Sequence, residues 1–195
     1  MKLILASNSK WRKRLINMAG LECEVMPSNV SEDMELTTPE EYVMELSKRK
    51  ANEVANRVSD GIVISADTIG YMDNEKFEKP KSREEAFTNI KKLSGRVNYA
   101  VTGVTIIDKE KNKSVTFADK TAVYFKEMSD EEVNWYIDNE ESVYNCAGYS
   151  IETCGSLFIS KIDGSYTNVV GLPISRIYEE ILRFGYSIKD FPIVR

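Results

Sequence analysis

The sequence predicts an α/β fold in which one elongated, mixed β-sheet with flanking helices forms two lobes around a cleft. Short apolar runs of strand length alternate with amphipathic helical segments, which is typical of α/β proteins. The β-rich runs over 97–107 and 114–125 flank a short polar stretch, so they predict an antiparallel hairpin within the sheet. Hydrophobic residues make up 42% of the 195 residues, which is enough for a folded core. We expect a single domain over residues 1–195.

Three of the predicted helices begin with the same local pattern, a serine or threonine followed three residues later by a glutamate. The hydroxyl at such an N-cap accepts a hydrogen bond from the first helical turn, and the glutamate completes a capping box. The pairs are Thr38 with Glu41, Ser82 with Glu85, and Ser129 with Glu132. We therefore expect helices from 38 to about 58, from 82 to about 95, and from 129 to about 139.

The other elements are predicted from apolar runs and from glycines that end helices. They are, in chain order, a strand over 2–6, a helix over 9–19 closed by Gly20, a strand over 61–67 that ends in Asp67, strands over 156–162 and 168–170, and a helix that is opened by 171–173 and ends near Gly185.

The composition excludes several classes of function. Lys and Arg number 26 against 31 Asp and Glu, a net charge of −5, whereas a general binder of nucleic acid polymers needs a basic field. A local pocket for one small anion remains compatible with this balance. The chain has no histidine, which excludes His-based triads, His proton shuttles and His-ligated metals. Acid–base chemistry must therefore use carboxylates, lysine, tyrosine or metal-bound water.

The cysteines and the apolar segments bear on the cellular compartment. Cys23, Cys146 and Cys154 form no CxxC pair, and an odd number at wide spacing is a poor disulfide framework. The N-terminal apolar run is too short for a signal peptide, and no stretch approaches the ~20 apolar residues of a membrane span. We expect a cytoplasmic protein with reduced cysteines and no membrane partner.

A first candidate site follows the predicted strand over 2–6. The chain turns there through small polar residues, including Ser7 and Ser9, into a helix that carries Arg12 among four cations in 10–14. Free N–H groups at a helix start attract anions, and the hydroxyls add donors. The sequence also fits a capped helix with a solvated basic face.

A second candidate is Lys50, which lies on an apolar helical stripe. Leu46 precedes it by four residues and Val54 follows it by four, so its side chain is expected to face the protein body. An inward-facing lysine needs a partner, either a carboxylate or a ligand phosphate. The alternative is that its ammonium group reaches the surface along the apolar stripe.

A third candidate is the pair Asp67 and Thr68 after an apolar strand. In open α/β sheets, ligands bind beyond the carboxyl ends of the strands. A carboxylate there can hold Mg²⁺ or orient water, and it can equally make turn hydrogen bonds. Lys79, which precedes Pro80, offers a further cation on a stiffened backbone.

Several segments in order along the chain resemble the Maf family, also called septum formation inhibitor proteins, which are nucleoside triphosphate pyrophosphatases. The resemblance runs from Leu3 to about Glu179. The matching segments are LASNS at 5–9 with Arg12, VSE at 30–32, SKRKA at 47–51, ADT at 66–68, KP at 79–80, LSGR at 93–96, TGV at 102–104, CAGYSIE at 146–152 and GSYTNVVGLP at 164–173. One such match would be weak, but this ordered set is specific.

The resemblance implies a fold similar to that of the inosine triphosphate pyrophosphatases. It also implies hydrolysis of a nucleoside triphosphate to the monophosphate and pyrophosphate with a divalent metal cation such as Mg²⁺ or Mn²⁺. The implied roles are phosphate binding by Ser7, Arg12, Lys50 and Lys79, metal binding by Glu32, proton acceptance by Asp67, and base selection at Glu152.

Two alternatives stay open. An aspartate with an ordinary pKa of about 3.9 is a weak base, so Asp67 is either the proton acceptor or a metal ligand that orients water. The family name also leaves a non-catalytic regulator of septum formation and cell division as the rival function. The expected partner is the nucleoside triphosphate, with a homodimer left open.

The preferred base is predicted from Trp11, Thr68 and Glu152. A carboxylate can accept both N–H groups of a guanine edge, and the Trp11 ring could stack on 7-methylguanine, as in the family branch that hydrolyses 7-methyl-GTP. Thr68 instead follows the dTTP/UTP branch, which carries glutamine in place of Glu152. We expect a guanine-type base, with dTTP/UTP as the alternative. Trp11 also fits a purely structural role, because Leu15 and Met18 follow it at helical spacing.

Overall fold

The computed structural model describes residues 1–34, 38–144 and 148–194 of the chain. These residues form two compact units, each assembled from separated stretches of the sequence. Unit 1 comprises Met1–Thr68, Thr102–Asp119 and Gly171–Arg195, and unit 2 comprises Ile69–Val101 and Lys120–Val170. Each unit is described by itself below.

The secondary structure alternates between strands and helices as expected for an α/β protein. The strands are β1 Leu3–Leu5, β2 Glu24–Val25, β3 Ile62–Met72, β4 Glu75–Lys76, β5 Val97–Asp108, β6 Lys113–Phe125 and β7 Ile159–Asp163. The helices are α1 Lys10–Met18, α2 Pro39–Ala55, α3 Arg83–Leu93, α4 Asp130–Asn139, α5 Tyr166–Val170 and α6 Ile174–Arg183. Short 3₁₀ turns lie at Glu141–Tyr144, Cys154–Leu157 and Ile188–Asp190.

The strands form one mixed sheet in the order β2-β1-β3-β5-β6-β7, with β4 paired to β3. Strand β1 is parallel to both β2 and β3, whereas β4 is antiparallel to β3 and β7 is antiparallel to β6. The mixed α/β fold predicted from the sequence is therefore confirmed, and the two long strands of the predicted hairpin are β5 and β6.

The predicted helix starts are confirmed by side-chain caps. The hydroxyls of Thr38, Ser82 and Ser129 each accept a hydrogen bond from the backbone N–H three residues later. Ser129 and Glu132 form a complete capping box. Helix α2 ends at Ala55, three residues before the predicted end, and its first turn contains Pro39.

The prediction that a strand ends in Asp67 is wrong. Strand β3 continues for five residues beyond Asp67, and Met72 then pairs with Glu75 across a two-residue turn. Both turn residues, Asp73 and Asn74, have positive φ angles of 54° and 63°, the conformation of a tight hairpin turn in which Asp and Asn are tolerated. Asp67 therefore lies within a strand, and its side chain is oriented by the pleat.

The interpretation of residues 168–170 as a strand is also wrong, because they belong to α5. The Ser165 hydroxyl accepts a hydrogen bond from the Asn168 backbone N–H at 3.2 Å, which favours a helical turn over an extended chain. The Asn168 amide is fully buried and donates to the Ala100 carbonyl and to Thr121 Oγ1. The predicted strand over 156–162 begins later, at Ile159, since a 3₁₀ turn occupies the preceding residues.

Each unit has its own apolar core. In unit 1, β1, β3 and α2 bury a cluster that comprises Ile4, Ala6, Val54, Ala55 and Val63. In unit 2, α3, α4, β6 and the segments that follow α4 bury a larger cluster that comprises Ala86, Ile90, Leu93, Val123, Phe125, Met128, Val133, Tyr136, Ile137, Val143, Tyr149 and Phe158. No helix among the described residues is long and apolar enough to cross a membrane.

Candidate functional site

Helix α2 packs directly on the sheet of unit 1, and this packing determines where Lys50 lies. At Gly103 of β5, a Cβ atom would overlap the Val43 backbone of α2. One turn later, Ser47 accepts at its carbonyl from Ser65 of β3, and its hydroxyl shares a hydrogen bond with Thr105 Oγ1 at 2.9 Å. These contacts fix α2 so that its next turn brings Lys50 against β3.

Lys50 is buried and bridges two carboxylates. Its side chain is 11% exposed, and its ammonium nitrogen lies 2.7 Å from Asp67 Oδ1 and 2.6 Å from Glu32 Oε1. Asp67 is also largely buried, with 13% of its side chain exposed, whereas the Glu32 side chain is 64% exposed. The expectation that Lys50 faces inward is confirmed, and of the two partners that we considered the structure shows carboxylates. The cation screens the two carboxylates from each other and holds the Asp67 side chain in one orientation.

Arg12 organises a second polar group in unit 1. Its Nη1 donates to Ser7 Oγ at 3.1 Å, its Nη2 donates to Thr68 Oγ1 at 3.0 Å, and its Nε donates to the Gly171 carbonyl at 2.8 Å. Thr68 Oγ1 also shares a hydrogen bond with Thr102 Oγ1 at 2.9 Å. The guanidinium is thereby held in one plane beside the start of α1.

The loop between β1 and α1 is built from small hydroxyl residues. Ser9 is the N-cap of α1, and its hydroxyl accepts from the Arg12 backbone N–H. Ser7 Oγ accepts from the Ser9 backbone N–H at 3.2 Å. The loop thus combines a helix N-terminus, which attracts negative charge, with an arginine and two hydroxyls.

The two polar groups of unit 1 lie on opposite sides of β3. Asp67 and Thr68 are consecutive strand residues, and consecutive side chains of a strand point to opposite faces. Ser65 and Asp67 both contact α2, as expected for residues two apart, while Thr68 contacts Arg12 of α1. We call Lys50, Glu32 and Asp67 the lysine–carboxylate group, and Arg12 with the hydroxyls of Ser7, Thr68 and Thr102 the arginine–hydroxyl group. Strand β3 connects the two groups through its adjacent residues Asp67 and Thr68.

Trp11 lies on α1 next to Arg12 and is half-buried. The Arg14 guanidinium lies 5.7 Å from the centre of its ring, within the range of a cation–π contact. Leu15 is buried, but Met18 is 62% exposed. The stripe proposed for a purely structural Trp11 is therefore only partly buried.

The remaining predicted site residues belong to unit 2. Lys79 is exposed next to the buried Pro80 in the segment that precedes α3. Glu152 Oε1 lies 3.5 Å from the Tyr166 hydroxyl, which donates to it, and the Glu152 backbone N–H donates to Ser150 Oγ at 3.3 Å. Cys146, for which we predicted no disulfide, and Ala147 lie outside the described residues, as does part of the segment over 146–152 that carries the resemblance.

Glu32 and Asp67 are the carboxylates considered for a metal. No group of three or more His, Cys, Asp or Glu side chains that could hold a metal occurs among residues 1–34, 38–144 and 148–194. The two acidic side chains nevertheless share one ammonium nitrogen, so their oxygens are neighbours. Hard divalent cations such as Mg²⁺ commonly bind one or two carboxylates and complete their shell with substrate phosphates and water. The donor set therefore fits a metal that binds together with a phosphorylated substrate.

Comparison with known proteins identifies the family. The model of the family described as "Maf-like protein" matches residues 2–184. The chain belongs to this Maf-like family. It is 42% identical over 190 residues to a protein from Thermoanaerobacter sp. named dTTP/UTP pyrophosphatase, covering 97% of this chain and 99% of that protein. A protein of the same name from Carboxydothermus hydrogenoformans is 38% identical over 186 residues, which cover 95% and 100% of the two chains.

A solved structure supports the fold independently of sequence. The Ham1 protein of Staphylococcus aureus superimposes with a TM-score of 0.53 at 12% identity, and the match covers 95% of this chain and 100% of that one. At this identity the match supports the architecture alone. The mixed sheet with flanking helices that we expected agrees with this architecture.

Sequence reasoning missed two contributors to the arginine–hydroxyl group. Gly171 offers its carbonyl to Arg12 and has a φ of 116°, and a Cβ there would lie 3.3 Å from Thr68 Oγ1. Thr102 shares a hydrogen bond with Thr68. Both residues occur in segments that resemble the family, at 102–104 and 164–173, but their partners are distant in sequence. Only the tertiary structure reveals the pairing.

Proposed function

We propose that this Maf-like protein is a nucleoside triphosphate pyrophosphatase that hydrolyses dTTP or UTP to the monophosphate and pyrophosphate. The observation that carries the proposal is the family match over residues 2–184, together with near full-length relatives named dTTP/UTP pyrophosphatase. The chemistry of the two polar groups in unit 1 supports it. The guanine-type preference that we expected from Trp11 and Glu152 receives no support from these relatives' names.

The first part of the proposal is triphosphate binding. Arg12 is held in one orientation by its contacts to Ser7, Thr68 and Gly171, and it lies in the first turn of α1. A planar guanidinium with hydroxyl neighbours suits phosphate oxygens, because it donates parallel hydrogen bonds to an anion. Lys50 adds a second cation, and Lys79 is proposed to add a third.

The second part is the activation of water by Asp67. Lys50 keeps the Asp67 carboxylate in one orientation, so its oxygens can accept a hydrogen bond from the attacking water. We propose that Glu32 and Asp67 hold a divalent metal with the substrate. A bound metal would neutralise phosphate charge and lower the pKa of its water.

The third part is recognition of the base by Glu152. Uracil and thymine present one N–H between two carbonyl oxygens. The Glu152 carboxylate is an acceptor for that N–H. The Tyr166 hydroxyl directs its single hydrogen at Glu152 in this structure, and we propose that it turns to a neighbouring carbonyl when the base binds. This acceptor–donor pair offers a pyrimidine the hydrogen bonds that a glutamine amide would supply. Thr68 has a different proposed role, which is to orient Arg12.

A nucleotide panel tests the proposal. The purified chain with Mg²⁺ or Mn²⁺ would be assayed with dTTP, UTP, CTP, GTP and 7-methyl-GTP, and the products would be separated chromatographically. We expect pyrophosphate and monophosphate, with the highest kcat/KM for dTTP or UTP. Orthophosphate with a diphosphate as first product would contradict the reaction. No turnover by the folded protein would favour the non-catalytic regulator instead.

A further inference from the structure

Glu140 is a buried carboxylate to which the proposed reaction assigns no role. It follows the last residue of α4 and is only 8% exposed. Burying a charge is costly unless hydrogen bonds compensate it, and a carboxylate at the C-terminus of a helix also meets the negative end of the helix dipole. Local structure alone therefore disfavours a glutamate at position 140. The hydrogen bonds of its carboxylate must offset the free energy that burying the charge requires.

Those contacts join two separate stretches of unit 2. Glu140 Oε1 accepts from the Ser142 backbone N–H at 3.0 Å, and Oε2 accepts from the Cys154 backbone N–H at 3.1 Å. Burial by itself would raise the pKa of Glu140, but hydrogen bonds from the Thr153 side chain and from these two backbone N–H groups lower it. One ionised carboxylate thus ties the 3₁₀ turn after α4 to the 3₁₀ turn before β7.

The second stretch is the segment that carries Glu152, and it folds back on itself. Ser150 Oγ accepts a hydrogen bond from the Glu152 backbone N–H at 3.3 Å. At Gly155 a Cβ atom would overlap the Ser150 carbonyl, so the chain returns closely beneath its own turn. The bond from Cys154 to Glu140 therefore fixes the backbone only two residues after Glu152.

We propose that Glu140 is a positioning residue that sets the backbone of Glu152 and thereby the choice of nucleobase. The proposal rests on the proposed function, because it assumes that Glu152 contacts the base. Glu140 acts through the backbone of the segment over 148–154 and does not itself touch the substrate. Loss of its carboxylate would leave the phosphate-binding residues of unit 1 in place. It would allow the backbone of the segment over 148–154, which carries Glu152, to move.

The variant Glu140→Gln tests the role in selectivity. The amide keeps the size of the side chain but presents an NH₂ group to one of the two backbone N–H donors, so one hydrogen bond to a buried charge is lost. We expect the ratio of kcat/KM for dTTP over CTP to fall at least about tenfold. Inhibition by tripolyphosphate, which has no base, should change less than about twofold. The matched control is Glu131→Gln, an exposed residue of α4, which should alter neither quantity.

The two readouts separate positioning from a general structural role. An unchanged dTTP over CTP ratio in Glu140→Gln, with or without a lower Tm, would overturn the proposal. Equal losses of selectivity and of tripolyphosphate inhibition would also overturn it, since they would indicate damage beyond unit 2.

Hydrogen exchange distinguishes failure of this proposal from failure of the proposed function. We expect faster exchange of the Ser142 and Cys154 amides in Glu140→Gln than in wild type or Glu131→Gln. Unchanged exchange would show that Glu140 does not hold these two backbone amides in place, whichever nucleotide the enzyme hydrolyses. If the wild-type protein hydrolysed no nucleotide, the proposed function would be wrong, and so would the role of Glu140 in base selection. The exchange rates would still show whether Glu140 holds the Ser142 and Cys154 amides in place.

Discussion

At the residue scale, Asp67 is the side chain whose replacement should matter most. The change Asp67→Asn preserves shape but removes the charge needed to accept a proton or to bind a metal. We expect kcat to fall at least ~10²-fold, the lower range for loss of a general base. Steady-state pyrophosphate release measures this, and circular dichroism and Tm report whether the variant is folded.

The matched control for Asp67 is Asp60→Asn. Asp60 is a surface aspartate of the same unit. Its side chain is 60% exposed, and its Oδ1 lies 3.7 Å from Lys2 Nζ, a long ion pair. Its loss should leave kcat within about twofold, because exposed ion pairs contribute little. A folded Asp67→Asn protein with the same kcat as the control would show that Asp67 is structural.

Arg12 is the residue for which geometry matters beyond charge. Lysine at this position keeps the charge but cannot make the three directed contacts to Ser7, Thr68 and Gly171. We expect Arg12→Lys to raise KM for the triphosphate about tenfold, the effect of losing one charge-assisted hydrogen bond, and to lower kcat less. The control Arg14→Lys, an exposed neighbour on α1, should leave KM unchanged; equal KM values in the two variants would refute the phosphate role of Arg12.

At the element scale, the close approach of α2 to β5 at Gly103 positions Lys50. Gly103→Ala would place a methyl group on the Val43 backbone, which cannot move without displacing α2. We expect a loss of roughly 1–3 kcal/mol in the free energy of unfolding, as for other overpacked sites, together with a lower kcat. Urea unfolding and steady-state kinetics on the same preparation measure both effects.

Gly20→Ala is the comparison for Gly103. Gly20 has a φ of 80°, but a Cβ there would meet nothing within 4 Å. An alanine should cost about 1 kcal/mol of backbone strain and leave kcat unchanged. If Gly103→Ala behaved like Gly20→Ala in both measurements, the packing account of Lys50 would be wrong.

Elements with strong local signals could be predicted from sequence, and those decided by tertiary contacts could not. The caps at Thr38, Ser82 and Ser129 are local, so the helix starts were predictable. The length of β3 depends on its pairing with β4, and α5 depends on Ser165 and on the buried amide of Asn168. Their apolar residues are equally compatible with the alternatives that we predicted.

The same division holds for the site. Lys50 was predicted to face inward from helical spacing, and its partner Asp67 follows an apolar run, so both were visible in the sequence. The contacts of Arg12 with Thr68 and Gly171 join residues far apart in the chain, and no periodicity signals them. A sequence pattern identifies residues of the right chemistry, whereas their pairing is a property of the fold.

At the scale of the whole molecule, acid stability should depend on Glu140. Its pKa is lowered from the usual 4.5 in the folded state, so the folded chain binds fewer protons than the unfolded chain. The stabilisation is therefore fully present above about pH 4.5 and is lost as pH falls through the lower folded pKa. We expect the free energy of unfolding, measured with urea, to fall less steeply with acidification in Glu140→Gln than in Glu131→Gln.

The release of pyrophosphate from a pyrimidine nucleoside triphosphate by the unit 1 residues can be followed atom by atom. The direct measurement is dTTP hydrolysis in ¹⁸O-labelled water with a divalent metal, followed by mass spectrometry of both products. We expect label in dTMP and none in pyrophosphate, because water attacks the α-phosphorus, and we expect loss of this reaction in Asp67→Asn. Label in pyrophosphate or orthophosphate, or undiminished turnover in folded Asp67→Asn, would contradict it.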